Sequence, residues 1–206
     1  MYSTKTATTN NTEFGSAYMP VGINENVTLK EVNVNKTPNG RDFLEIVFEN
    51  DKGQTATMTE WKNEKNMWIK TDEDLQRRDD TQFGRVLQII NCFGPAPEVE
   101  LNNFVEMINW VKNTLTQYIG VKKPLRLKVV YDKKGYVKVS NLGIFVEAMD
   151  AVGTQMKMFA NDLTERPIVA DKEPVVDPLV QAANEAIALN TPVTFETTSG
   201  ADDLPF

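Results

Sequence analysis

Bases and aromatic rings carry most of the chemical potential of this chain. Between Lys122 and Lys138 stand seven bases, Lys122, Lys123, Arg126, Lys128, Lys133, Lys134 and Lys138, against one acid, Asp132. Lys36 and Arg41 bracket a turn signal further upstream. Bases set along a groove follow a phosphate backbone, and flat aromatic faces beside them stack nucleobases. Trp61, Trp68 and Tyr136 are the candidate stackers. Trp61 shares strand parity with Thr55, Thr57 and Thr59, which favours exposure. Trp68 lies between Met67 and Ile69, where covering a neighbouring element is the competing reading. Tyr136 is in phase with Lys138, whereas Tyr131 is in phase with Leu127 and Val129 and reads as core. Glu45 and Glu49 oppose the phosphate reading, because strand alternation turns them outward with the groove.

Much other chemistry is excluded. The chain has no histidine and one cysteine, Cys92. A histidine-based triad, a His/Cys zinc site and an intramolecular disulfide are therefore impossible. No P-loop or dinucleotide fingerprint is present. A carboxylate–metal enzyme would have to use Asp72, Glu73 and Asp74, or Asp79 and Asp80. The first three read better as acids at a helix start, and adjacent helical residues do not converge on one ion. The expectation is a binding protein with no catalytic residues, no metal and no cofactor. Cys92 is expected to be a buried small hydrophobe.

Charge divides the chain. The formal net charge of −7 lies wholly in the last 47 residues, while residues 1–159 balance 20 bases with 20 acids. The acidic end also holds five of the ten prolines and only two aromatics, Phe195 and Phe206. Such a segment buries too little to offset its ordering entropy. Residues 150–206 are thus expected to be a disordered acidic tail, and residues 1–19, rich in Thr, Asn and Ser, a second flexible end. No apolar run reaches membrane-spanning length, and Met1 to Pro20 lacks the apolar core of a secretory signal. A cytoplasmic protein without membrane association is expected.

The body, residues 20–149, must position the bases and rings. Val27 and Leu29 alternate in one phase and Val32 and Val34 in the other, which predicts a bulge between them. Asn39-Gly40 marks a turn. Leu44, Ile46 and Phe48 form the inward face of a second strand, and Thr55 to Trp61 a third. The period then changes over residues 71–120. Thr71 opens a capping box. Phe83, Val86, Leu87, Ile90 and Phe93 follow at helical spacing up to Gly94. A second helix from Asn102 aligns Phe104, Val105, Ile108, Val111, Leu115 and Ile119, and Gly120 ends it. Leu125 to Tyr131 and Tyr136 to Val139 form a closing hairpin. Leu142 to Met149 fits either a strand or a short helix. Three strands, a two-helix insert and a hairpin describe a mainly β (α+β) chain, an OB-fold: a five-stranded barrel. Other α+β folds share that element order.

The last five residues are Asp202, Asp203, Leu204, Pro205 and Phe206. This acidic tip resembles the C-terminus of bacterial single-stranded DNA-binding proteins, and acidic tails ending in phenylalanine occur in phage proteins of the same role. The run Met19-Pro-Val-Gly-Ile-Asn-Glu-Asn-Val27 is also similar to phage single-stranded DNA-binding proteins. The resemblance implies a protein that coats single-stranded DNA and recruits replication or repair enzymes through its tip. The tip chemistry fits, since a terminal ring and carboxylate suit an apolar pocket with an arginine clamp. The insert is larger than in the bacterial family, which favours a monomer or dimer over a tetramer. In a phage setting the location would be the host cytoplasm. The competing function is an assembly or scaffold module with a solubilising tail.

Overall fold

The computed structural model describes residues 16–167. Six strands and two helices follow in the order β1 (Gly22–Lys36), β2 (Asp42–Glu49), β3 (Thr55–Trp61), α1 (Asp72–Phe93), α2 (Phe104–Thr116), β4 (Leu125–Tyr131), β5 (Val137–Val139) and β6 (Val146–Ala148). They form one antiparallel sheet in the order β3-β2-β1-β4-β5. β5 and β6 share the second edge of β4, opposite Val129–Tyr131 and Leu125–Leu127 respectively. The sheet is open, with no hydrogen-bonded pairing of its end strands. The chain is mainly β, as its patterning predicts, with six strands rather than five. The additional strand comes from the ambiguous Leu142–Met149 stretch, which supplies β6 because Val146–Ala148 pairs with the edge of β4 at Leu125–Leu127.

β1 serves both halves of the sheet. Gly22–Val27 pairs with β4, and Thr28–Lys36 pairs with β2. The register slips between Leu29 and Glu31, where the change of apolar phase predicts a bulge. A second slip falls between Asn24 and Val27, and Asn26 takes a left-handed φ of 57° there, a conformation asparagine tolerates better than most residues. Leu44, Ile46 and Phe48 are fully buried from β2, as are Leu125, Leu127 and Val129 from β4. Each such side chain contributes about 1.5–3 kcal/mol of transfer free energy.

The helices cover this apolar layer. Thr71 and Asp74 complete the expected capping box of α1. Val86, Ile89 and Ile90 face the core from α1, and Ile108, Val111 and Leu115 from α2. The second helix differs from expectation at its ends. It stops at Thr116, so Ile119 lies beyond it, and both Ile119 and Val105 are exposed. Cys92 is buried as expected; burial pushes its thiol up to about 12, so it stays protonated. Among the described residues, no helix is long and apolar enough to cross a membrane.

Both ends of the folded body lie further out than the sequence suggests. Ser16 to Met19 runs along the start of β3, where Met19 N–H donates to the Thr55 carbonyl and Thr55 N–H to the Ala17 carbonyl, and Met19 is buried in the core. At the other end, residues 150–163 are a packed strap rather than tail. Met156 and Asp162 are buried, and Tyr131 N–H donates to the Leu163 carbonyl at 2.9 Å. The strap is held by a buried ion pair. Lys128 Nζ donates to Asp162 Oδ2 at 2.9 Å, to the Leu142 carbonyl at 2.8 Å and to the Lys157 carbonyl at 3.0 Å. Ser140 Oγ and Phe159 N–H donate to the same carboxylate, each at 2.8 Å. The Phe159 ring lies 4.5 Å from the ammonium and covers Gly143, where a Cβ would meet the ring at 2.6 Å. A charge count cannot see that one acid of the acidic end is consumed inside the fold. Residues 168–206, with Asp202 to Phe206, lie outside the described residues, as do residues 1–15.

Burial raises the Asp162 carboxyl, but the bonds from Phe159, Lys128 and Ser140 outweigh it and hold the carboxyl below its usual range. Folding therefore favours the ionised form. That contribution is complete above the unfolded value of about 3.9 and is lost as pH falls through the lower folded value. Urea unfolding should show stability nearly level from about pH 5.5 to 8, since no histidine titrates there, and a decline below about pH 4. Lys128→Met, which strands Asp162 uncompensated, should cost about 3–5 kcal/mol. Adding Asp162→Leu to it should recover much of that loss. A single-variant cost below about 1 kcal/mol would contradict the clamp.

Candidate nucleic-acid interface

The outer face of the β1-β2-β3 half is set by register. Asn35, Phe43 and Trp61 form one cross-strand row, Asn33, Glu45 and Thr59 the next, and Glu31, Val47 and Thr57 a third. The first row is aromatic. Phe43 and Trp61 stack with centroids 4.5 Å apart and planes 26° from parallel. Arg41 lies over the indole at 5.6 Å, within cation–π range. Trp61 keeps 39% exposure, so part of the indole beside this cation reaches solvent.

Two local devices hold this platform. The Thr37–Arg41 turn closes with Thr37 N–H to the Arg41 carbonyl at 2.9 Å, and Gly40 supplies the left-handed φ of 79° it needs. From below, Glu60 points inward from β3 and is nearly buried. Arg85 of α1 grips it with two bonds of 2.8 and 2.7 Å, and Gln82 donates to Glu60 at 2.7 Å and to the Trp61 carbonyl at 2.8 Å. The helix thus fixes the backbone that carries the ring.

The acids on this face are partly answered. Lys30 pairs with Glu49 at 2.7 Å, and that bond raises the Lys30 pKa. Among the described residues, Glu45 is offered only the Asn35 amide at 3.5 Å, and Glu31 the Asn33 amide at 3.2 Å. The second and third rows remain acidic, so the aromatic end is the part of the face that tolerates an anion.

The predicted bases divide into two groups. Lys128 leaves the set, because it is wholly buried against Asp162. Arg126 is also committed, between Glu25 at 3.2 Å and Glu147 at 3.1 Å, and these bonds raise its pKa. Lys123 pairs with Asp150 at 3.6 Å and Lys36 with Asp42 at 3.4 Å. Among the described residues, Lys122, Lys133, Lys134 and Lys138 have no ion-pair partner. Lys122 precedes β4 while Lys133 and Lys134 follow it, so about 20 Å of strand separates them. The single basic surface implied by the spacing is therefore two separated patches. Lys133 and Lys134 sit exposed in a turn folded by Asp132, whose carboxylate accepts from Lys134 N–H and Tyr136 N–H. Tyr136 beside them is 67% exposed.

Trp68 is 79% exposed in the β3–α1 loop, against the reading that it covers the helices. Four of the five carboxylates considered for a metal have other partners. Asp74 caps α1 and pairs with Arg77, Asp72 pairs with Lys65, Asp79 accepts from Asn63 and Asp80 from Gln76. Phe43 is the residue that sequence reading missed. Alternation already turns it outward, out of phase with Leu44, but its partnership with Trp61 depends on a register visible only in the structure.

No protein-family model and no curated protein sequence matches the chain. Exposure orders the three indoles, since Trp110 packs against Phe83 while Trp61 and Trp68 face solvent. Iodide quenching of single-tryptophan-removal variants should rank Trp68 above Trp61 and Trp61 above Trp110. Equal loss of quenching from all three removals would refute the placement.

Proposed function

We propose that the chain binds single-stranded DNA on the outer face of β2 and β3. The Phe43–Trp61 stack beneath Arg41 carries this reading. A nucleobase can stack on the solvent-exposed part of this pair, with the Arg41 guanidinium moving from the ring to the phosphate. Every base has a π-face, so such contacts tolerate sequence, and each is worth about 1–3 kcal/mol. No bond is made or broken, and no cofactor is required. The resemblance of the acidic tip, Asp202 to Phe206, to bacterial single-stranded DNA-binding proteins supports the same reading and assigns the tip to recruitment of replication or repair enzymes.

An OB-type barrel is the fold reading that joins these features. Its support is the sharing of β1 between two half-sheets, the order β3-β2-β1-β4-β5, and the contact between β3 and β5 at the two ends of that order. In that fold the strand 2–3 face and the loops after strands 1 and 4 take oligonucleotides. Those loops here carry Lys36, Arg41, Lys133 and Lys134.

Titration of intrinsic fluorescence with oligo-dT should quench strongly, and duplex of equal length should quench far less. Affinity should fall with salt at a log–log slope of about −0.7 per phosphate neutralised. Trp61→Ala should weaken binding about five- to a hundredfold. Equal affinity for duplex, or binding indifferent to salt, would overturn the proposal.

A further inference from the structure

The β3–α1 loop presents a second ring in an organised way. Asn66 and Ile69 exchange backbone hydrogen bonds of 3.0 and 3.2 Å, and Asn66 Oδ1 accepts from Trp68 N–H at 2.8 Å. Ile69 is buried and anchors the turn, while Met67 and Trp68 beside it are 72% and 79% exposed. Displaying so much apolar surface on a pinned loop costs solvation that a polar residue would avoid.

Two bases and one acid lie beside the ring. Trp68 shares a shallow cleft with Ile69, Asp74, Arg77, Arg78 and Thr81, the last four on the first turns of α1. Arg77 is engaged with Asp74, but among the described residues Arg78 has no ion-pair partner. Of the nearby acids, Asp74 caps the helix and pairs with Arg77, and Asp72 pairs with Lys65, while Asp79 and Asp80 accept from the Asn63 and Gln76 amides.

The cleft lies about one helical turn from the residue that holds the platform. Gln82 holds the Trp61 carbonyl, and Arg78, beside Trp68, is four residues earlier on the same helix, about 6 Å along its axis. Arg41 and Glu64 also link the β1–β2 turn to the loop, at 3.9 Å. The acidic rows of Glu45 and Glu31 close the opposite direction along the sheet.

We propose that the bound strand runs from the Phe43–Trp61 platform onto the β3–α1 loop, where Trp68 stacks a further base and Arg78 contacts its phosphate. This rests on the single-strand reading above and adds its direction. The strand leaves toward α1, and the Lys133–Lys134 turn is a secondary contact.

Direct binding of oligo-dT of about 4 and about 14 nucleotides to the full-length chain tests this, with anisotropy of labelled oligonucleotides as the readout. Trp68→Ala and Arg78→Ala should weaken the long oligonucleotide about five- to a hundredfold and leave the short one within about twofold. Arg78→Ala should also lower the salt slope by about 0.7. Trp61→Ala should weaken both lengths. Both Trp68 and Arg78 are solvent-facing, and unchanged circular dichroism will confirm folding of the variants. Wild-type affinity of Trp68→Ala and Arg78→Ala for both lengths, with Trp61→Ala still impaired, would overturn this path and leave the platform standing. Absence of binding by the unaltered chain at either length would overturn both.

Discussion

β1 has to satisfy two half-sheets with one backbone. A straight, regular strand of 15 residues would present a single side-chain phase to one plane. The slip between Leu29 and Glu31 breaks that phase, and the slip at Asn24–Val27 turns the strand again. Val27 and Leu29 thereby reach the same core as Val32, although their parity differs. The direction of β2 and β3 follows from this bend, and the β2–β3 register then puts Phe43 against Trp61. The helices then close the core and, through Gln82 and Arg85, fix the far end of β3.

Charge plays two separate roles in this fold. Inside, Lys128 and Asp162 are fully hydrogen-bonded to each other and to their surroundings, and they secure the strap over β4. A lysine in so basic a stretch looks like a ligand for phosphate, yet its ammonium never meets solvent. Outside, the unpaired cations fall in separate patches, and the aromatic platform decides which patch borders the proposed strand. The modest number of free bases near it favours stacking over phosphate contacts as the source of affinity.

Patterns local to a few residues were legible in the sequence. The bulge, the Asn39-Gly40 turn, the Thr71 capping box and the inward faces of β2 and β4 all depend on neighbours within one element, where period and turn chemistry operate directly. Patterns that depend on distant partners were not legible. The Phe43–Trp61 stack needs a register between two strands. The burial of Lys128 needs an acid 34 residues away, in a segment whose composition suggests disorder. The strand identity of Val146–Ala148 needs the free edge of β4. The open state of Trp68 needs the Asn66 turn, which carries no distinctive spacing.

The binding face is tested most directly by ultraviolet cross-linking of the full-length chain to oligo-dT, with the modified peptides located by mass spectrometry. Attachment at Phe43 and Trp61, competed by unlabelled single strand and not by duplex, is the predicted result. Cross-links confined to the Lys133–Tyr136 turn or to the residues around Lys122, with Phe43 and Trp61 unmodified, would contradict the account.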